Sequence, residues 1–200
     1  AIFDDSADLG ILDSSRNIIH TEQQRELAED FIRSECYGIR PKVNGIVNFQ
    51  AMVKRCLYYK DNCPYNNTLP MGCWDTSDVT DMSYAFYNLK NFNEPLNTWE
   101  TSSVTDMSDM FSFAASFDQP PDSWNLQSVT DSSDMFWGAK SFNQPLDSWN
   151  VESIQNFDYM FLDAVQFNQP LNSWKTAAAT DMMSVPDLCA ACAVALSWDL

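Results

Sequence analysis

The sequence predicts an α/β repeat fold: a short solenoid of four to five 25-residue coils, each a short parallel strand plus a helical turn, between a helical N-terminal cap and a Cys-rich C-terminal cap. Three observations predict it. Tryptophan recurs every 25 residues, at Trp74, Trp99, Trp124, Trp149 and Trp174, and a period of about 20 to 50 residues marks a solenoid or propeller. Other columns keep the register: Phe86, Phe111, Phe136 and Phe161; Phe92, Phe117, Phe142 and Phe167; Pro95, Pro120, Pro145 and Pro170. Composition changes where the register starts, since residues 1–72 carry 8 basic and 10 acidic residues and residues 73–200 carry 3 and 18. A boundary near Cys73 follows. The predicted organisation is an extended acidic arm (1–20), a helical, Cys-containing N-terminal cap (21–72), the repeats (73–181) and a C-terminal cap (182–200).

Thr21-Glu22-Gln23-Gln24 is a capping box ahead of Leu27, Ala28, Phe31 and Ile32, which predicts a helix over 22–36. A second apolar stretch, Val43 to Leu57, has helical spacing in Phe49, Met52, Val53 and Leu57, with Asn48 placed to cap it. Both serve to cover the first coil, because an uncapped stack exposes an apolar face and open edges. Inside each coil, Val-Thr-Asp-Met (Val79 to Met82, Val104 to Met107) places Thr or Asp to cap a short helical turn whose buried face carries Met110 and Phe111, then Met135 and Phe136. The fixed prolines belong at a strand's first residue or a corner, so the strand is expected from Leu96, Pro121, Leu146 and Leu171 toward the next Trp. The Trp column and the Phe86 column form the expected core ladder. The fifth coil keeps Thr180, Asp181 and Met182 but loses the Phe and Pro columns.

The unit Trp-x-Thr-Ser-x-Val-Thr-Asp-Met-Ser-x-Met-Phe-x-x-Ala-x-x-Phe-Asn-Gln-Pro-Leu-x-x-Trp resembles the repeats of BspA-like leucine-rich-repeat surface proteins, from about Cys73 to Asp181. The resemblance implies a leucine-rich-repeat-like solenoid, secretion or surface display, and adhesion or protein binding rather than catalysis. Departures from the pattern are Ser132 and Phe157 for Met, Ala85 for Met, Pro121 for Leu, and Gln155-Asn156 for Thr-Asp.

A formal net charge of −17 and a pI near 4.1 disfavour nucleic acid and anionic lipid surfaces as partners. No apolar run reaches bilayer length, the longest being Leu188 to Leu196, so no membrane span is expected. Six cysteines, Cys36, Cys56, Cys63 and Cys73 in one cap and Cys189 and Cys192 in the other, are expected to form disulfides in an oxidising compartment. The four N-terminal ones allow three pairings, of which Cys56 with Cys63 and Cys36 with Cys73 is narrowly preferred. A redox Cys-x-x-Cys lacks its βαβ context, and a four-cysteine zinc site lacks two close pairs. Asn66-Asn67-Thr68 is an N-glycosylation sequon, with Asn66 as acceptor.

Catalysis is not expected. His20 is the sole histidine and stands beside a helix cap, with no nucleophile motif to serve. Asp81, Asp106, Asp131 and Asp181 recur at one repeat position, which favours capping over acid–base work, and no phosphate loop or metal set stands out. No cofactor is expected. The polar columns are the remaining candidate surface. The Asn93, Asp118, Asn143, Asn168 column reads as an amide ladder bonded along the rod. The candidate binding face is the pair of columns Asn97, Asp122, Asp147, Asn172 and Glu94, Gln119, Gln144, Gln169, acidic and amide-rich, suited to a basic protein or a glycan. Tyr87 and Trp137 are the aromatics expected outside. Two functions fit: a non-enzymatic recognition module, extracellular or at the cell surface, and an architectural subunit of a larger assembly, at a surface or in an oxidising lumen.

Overall fold

The coils are built from tight turns, and the way their backbone groups are shared decides the architecture. In the computed structural model, which describes residues 49–58 and 70–183, alternate N–H groups of the segment after Asp81 point to the next coil. Met82, Tyr84, Phe86 and Asn88 donate to the carbonyls of Asp106, Ser108, Met110 and Ser112 at 2.9, 3.0, 2.9 and 2.8 Å. The intervening Ala85, Tyr87 and Leu89 instead donate back within their own coil, to Met82, Tyr84 and Phe86 at 3.2, 3.1 and 3.1 Å. The same pattern runs from Met107 and from Ser132.

Closing successive turns this way takes a left-handed residue at two places per coil. Tyr84 and Asn88 (φ 57° and 60°), Asp109 and Phe113 (55° and 58°), Asp134 and Gly138 (57° and 66°), and Tyr159 and Asp163 (54° and 56°) occupy them. Asn, Asp and Gly tolerate this region best, and a larger L-residue there costs about 1–2 kcal/mol.

This corrects the predicted α/β, leucine-rich-repeat-like solenoid of strand plus helical turn. Among the described residues there are one α-helix, one 3₁₀ turn and no strand. A left-handed residue every few positions breaks any helical turn, and N–H groups that close turns are unavailable to a ladder. Parallel pairing is reduced to isolated bridges that link Asp81, Asp106, Asp131, Asn156 and Asp181 in sequence. The strand expected after each proline is a tight turn: Trp99, Trp124, Trp149 and Trp174 donate their N–H to Leu96, Pro121, Leu146 and Leu171 at 3.1, 3.1, 3.0 and 3.2 Å.

The core sits inside the turns as stacked columns. Trp74, Trp99, Trp124 and Trp149 are buried, and Trp174 is half-buried at the last coil. Phe86, Phe111, Phe136 and Phe161 are fully enclosed, with consecutive rings 5.1, 5.7 and 5.7 Å apart and within 6° of parallel. Phe92, Phe117, Phe142 and Phe167 stack beside them at 6.0, 6.0 and 5.8 Å. Each coil therefore covers its neighbour's aromatic rings, which one coil alone cannot do. Helix α1 (Phe49–Tyr58) closes the first coil by burying Phe49, Met52, Val53 and Cys56. The Phe49 ring sets its edge on Trp74 and Trp99 at 6.3 and 5.4 Å. Over 49–57 the expected second apolar segment is helical. The 22–36 helix, the acidic arm and most of the C-terminal cap lie outside the described residues.

Candidate functional site

The two columns chosen as the binding face are placed unevenly. Glu94, Asp147 and Asn172 are exposed, Asp122, Gln119 and Gln169 are half-buried, and Asn97 and Gln144 are buried at 9% and 5% exposure. The glutamines are spent on stacking. Gln119 donates through Nε2 to Asn93 Oδ1 at 3.1 Å, Gln144 to Asp118 Oδ1 at 2.8 Å and Gln169 to Asn143 Oδ1 at 3.1 Å. The same oxygens accept the backbone N–H of Asp118, Asn143 and Asn168 at 2.9, 3.0 and 2.9 Å. One side-chain oxygen per coil thus ties two donors of the next coil, and the Asn93 column is the expected ladder. In the other column Asp147 Oδ1 accepts the N–H and hydroxyl of Ser173, both at 2.9 Å, and these bonds hold its carboxyl below the usual carboxylate range.

Two further columns have structural duties too. Asp81, Asp106 and Asp131 each accept the N–H of the Ser two residues on, at 2.8, 2.8 and 2.9 Å, and Asn156 does the same for Asp158 at 3.0 Å. These are Asx turns, a capping role without a helix. The indole N–H groups of Trp99, Trp124, Trp149 and Trp174 donate to the carbonyls of Met71, Leu96, Pro121 and Leu146 at 2.8, 3.1, 3.0 and 2.9 Å. Cys56 and Cys73 are buried and disulfide-bonded. Cys36, Cys63, Cys189, Cys192 and Asn66 lie outside the described residues.

A different surface carries the unspent chemistry, at and beside the left-handed positions. Tyr84 is 43% exposed, and Tyr87, Phe113 and Trp137 are half-buried. They form a continuous chain of rings: Tyr84 to Tyr87 at 5.6 Å, Tyr87 to Phe113 at 6.0 Å, Phe113 to Trp137 at 4.8 Å. Asp109 and Asp134 run alongside. Tyr84 hydrogen-bonds Asp109, which pushes its phenol up, while burial pushes the Asp109 carboxyl up against that bond. Asp134 is pushed up to about 6, first by burial and then by the carboxylates of Asp109, Asp158 and Asp131. Its Oδ1 and the Trp137 Nε1 are enclosed without a hydrogen-bond partner. Tyr87 and Trp137, expected outside, are half-buried, and the sequence reading did not single out Tyr84, Phe113, Asp109 or Asp134. The signal was present as Asp and Gly at positions one repeat apart.

The folded-state pKa of Asp134 lies above its unfolded value of 3.8, so ionisation opposes folding and stability rises as pH falls from 7 through about 6. Asp134→Asn should therefore stabilise the protein at pH 7 by about 1 kcal/mol, after allowance for solvent screening of this partly exposed group. At pH 4 the gain should be nearly absent. Thermal melts at the two pH values check this, and an equal gain at both would contradict it.

Among the described residues no group of three or more metal-ligating side chains is assembled. Nor is any described helix long and apolar enough to cross a membrane. Shallow depressions of about 290 and 300 Å³ lie beside Asp147 and Lys175, and between α1 and Leu89 to Glu94. Fold and surface together define a repeat protein of stacked, turn-built coils with an aromatic spine. The chain belongs to the family described as Mycoplasma protein of unknown function, DUF285, whose profile matches residues 47–174 and 122–197. No curated protein and no solved structure matches it.

Proposed function

We propose that this chain is a non-enzymatic protein-interaction module, displayed at a surface or secreted, in which the coil stack is a rigid scaffold for outward-facing side chains. The observation that carries this reading is the division of labour among the columns. The repeated amides and indoles bond coil to coil and the Asx residues close turns within a coil, while carboxylates and aromatics outside those bonds stay at the surface. Glu94, Asp147 and Asn172 are what remains of the acidic and amide-rich face open to a protein or glycan. The resemblance of the Trp-to-Trp unit to BspA-like surface proteins supports recognition over catalysis, and the bonded Cys56 and Cys73 favour an oxidising compartment.

A fixed architectural subunit is the second reading. It is favoured by the partly exposed ring chain of Tyr84, Tyr87, Phe113 and Trp137, because contiguous apolar surface is commonly covered by a partner. Native size and composition after gentle isolation from the source test both. Co-migration with the same proteins at fixed stoichiometry is expected of a subunit, and reversible, substoichiometric association of a recognition module. A chain that migrates alone and captures neither protein nor glycan would overturn both readings.

A further inference from the structure

We propose that the ring chain Tyr84, Tyr87, Phe113 and Trp137, with Asp109 and Asp134 beside it, is a docking surface for an arginine-bearing basic segment of a partner protein. This rests on the reading of the chain as a protein-interaction module and names the chemistry of its partner.

Charge complementarity is the first ground. The coils contain three cations, Lys90, Lys140 and Lys175, against a large carboxylate excess. Of these cations Lys175 is paired with Glu152, at 2.9 Å. The charged groups that act on Asp134 are Asp109, Asp158 and Asp131, all anionic, and those acting on Asp109 include Asp106 and Asp131. The charged neighbours of both carboxylates are all anionic, so the cation that completes this surface comes from outside.

The rings supply the second ground. Each is partly exposed, and the chain crosses three coils in one line, with Phe113 between Tyr87 and Trp137. Gly138 makes room for this, because a side chain there would begin 2.8 Å from Phe113 Cδ1. Arginine fits the combination better than lysine, since its planar guanidinium stacks on an aromatic face while its fork of donors reaches carboxylates. The Asp134 Oδ1 is an enclosed acceptor with no donor, beside this line.

The test is calorimetric and fluorimetric titration of the full chain with an (Arg-Gly)₄ peptide, a (Gln-Gly)₄ control and a neutral chito-oligosaccharide. Saturable binding of the arginine peptide is expected, weakened about tenfold or more in Asp109→Asn/Asp134→Asn, the factor that accompanies loss of one charge-assisted hydrogen bond. Glu100→Gln/Glu152→Gln removes the same formal charge elsewhere and should change affinity less than about twofold. Equal weakening by both double variants would reduce the effect to diffuse charge and overturn the proposal, as would no saturable binding, or oligosaccharide binding at this stripe without competition from the peptide. The two levels separate. If the chain co-migrates with partner proteins and Asp109→Asn/Asp134→Asn leaves this unchanged, the docking surface is refuted while the interaction-module reading stands. If neither protein nor glycan associates with the native chain, that reading falls as well.

Discussion

Trp124→Ala should lower stability by about 3–5 kcal/mol, the cost of deleting a large enclosed ring with little relaxation around it. Trp124 is 5% exposed and stacks on Trp99 at 6.5 Å and on Phe111 at 6.1 Å. Its indole N–H also satisfies the Leu96 carbonyl in the preceding coil at 3.1 Å. The loss is thus of two kinds, ring burial and a bond between coils. Trp124→Phe keeps most of the ring and should cost about 1–2 kcal/mol, from reduced packing and the lost indole bond, the Leu96 carbonyl keeping the Trp99 N–H at 3.1 Å. Because coils are stabilised by their neighbours, a gap in the middle of the stack weakens both adjoining interfaces. Trp174, half-buried in the last coil, should cost clearly less when replaced by Ala. Urea unfolding followed by circular dichroism measures the series, and an unchanged midpoint for Trp124→Ala would refute the aromatic spine.

The spine was legible because burial in a stack is a matter of register. Any residue that faces inward once does so every 25 residues, so the Trp and Phe columns declare themselves whatever the backbone does between them. Backbone conformation is not fixed by that register. Strands and chained turns both send alternate N–H groups to a neighbouring coil, and they differ in the sign of φ at two positions. Asn88, Asp109, Asp134, Gly138 and Asp163 suit a positive φ, but Tyr84, Phe113 and Tyr159 hide the pattern, since bulky residues seldom adopt it. The register also starts earlier than the composition boundary. Pro70 and Met71 occupy the places of Pro95 and Leu96, and Met71 accepts the Trp99 indole as Leu96 accepts that of Trp124.

The exposure of the candidate binding columns was the least legible feature, for a related reason. Polarity alone suggests exposure, and Gln119, Gln144 and Gln169 are polar. In a stack, however, a repeated amide always finds its counterpart one coil away, and the oxygens of Asn93, Asp118 and Asn143 take the Gln donors. Repetition favours internal satisfaction. Surface residues open to a partner are better sought where the columns vary, as at Tyr84, Asp109, Asp134, Tyr159 and at Asn88, Phe113, Gly138, Asp163.

Gly138→Val should destabilise by about 2–4 kcal/mol, combining a β-branched residue at positive φ with overpacking. Gly138 has φ 66°, and its N–H donates to Leu162 at 2.7 Å, so the backbone cannot turn to relieve the strain without breaking a bond between coils. An added Cβ also lies 2.8 Å from Phe113 Cδ1 and 3.2 Å from Cε1. The two components separate in a cycle with Phe113→Ala. Removing the ring should rescue the steric part of the Gly138→Val loss and leave the conformational part, so the double variant should be more stable than the sum of the singles predicts. Gly138→Asn should be the best tolerated replacement, since Asn88 holds φ 60° at the same repeat position. Strict additivity in the cycle, measured by thermal unfolding, would show that Phe113 does not lie against Gly138 and would remove the packing that aligns the surface rings.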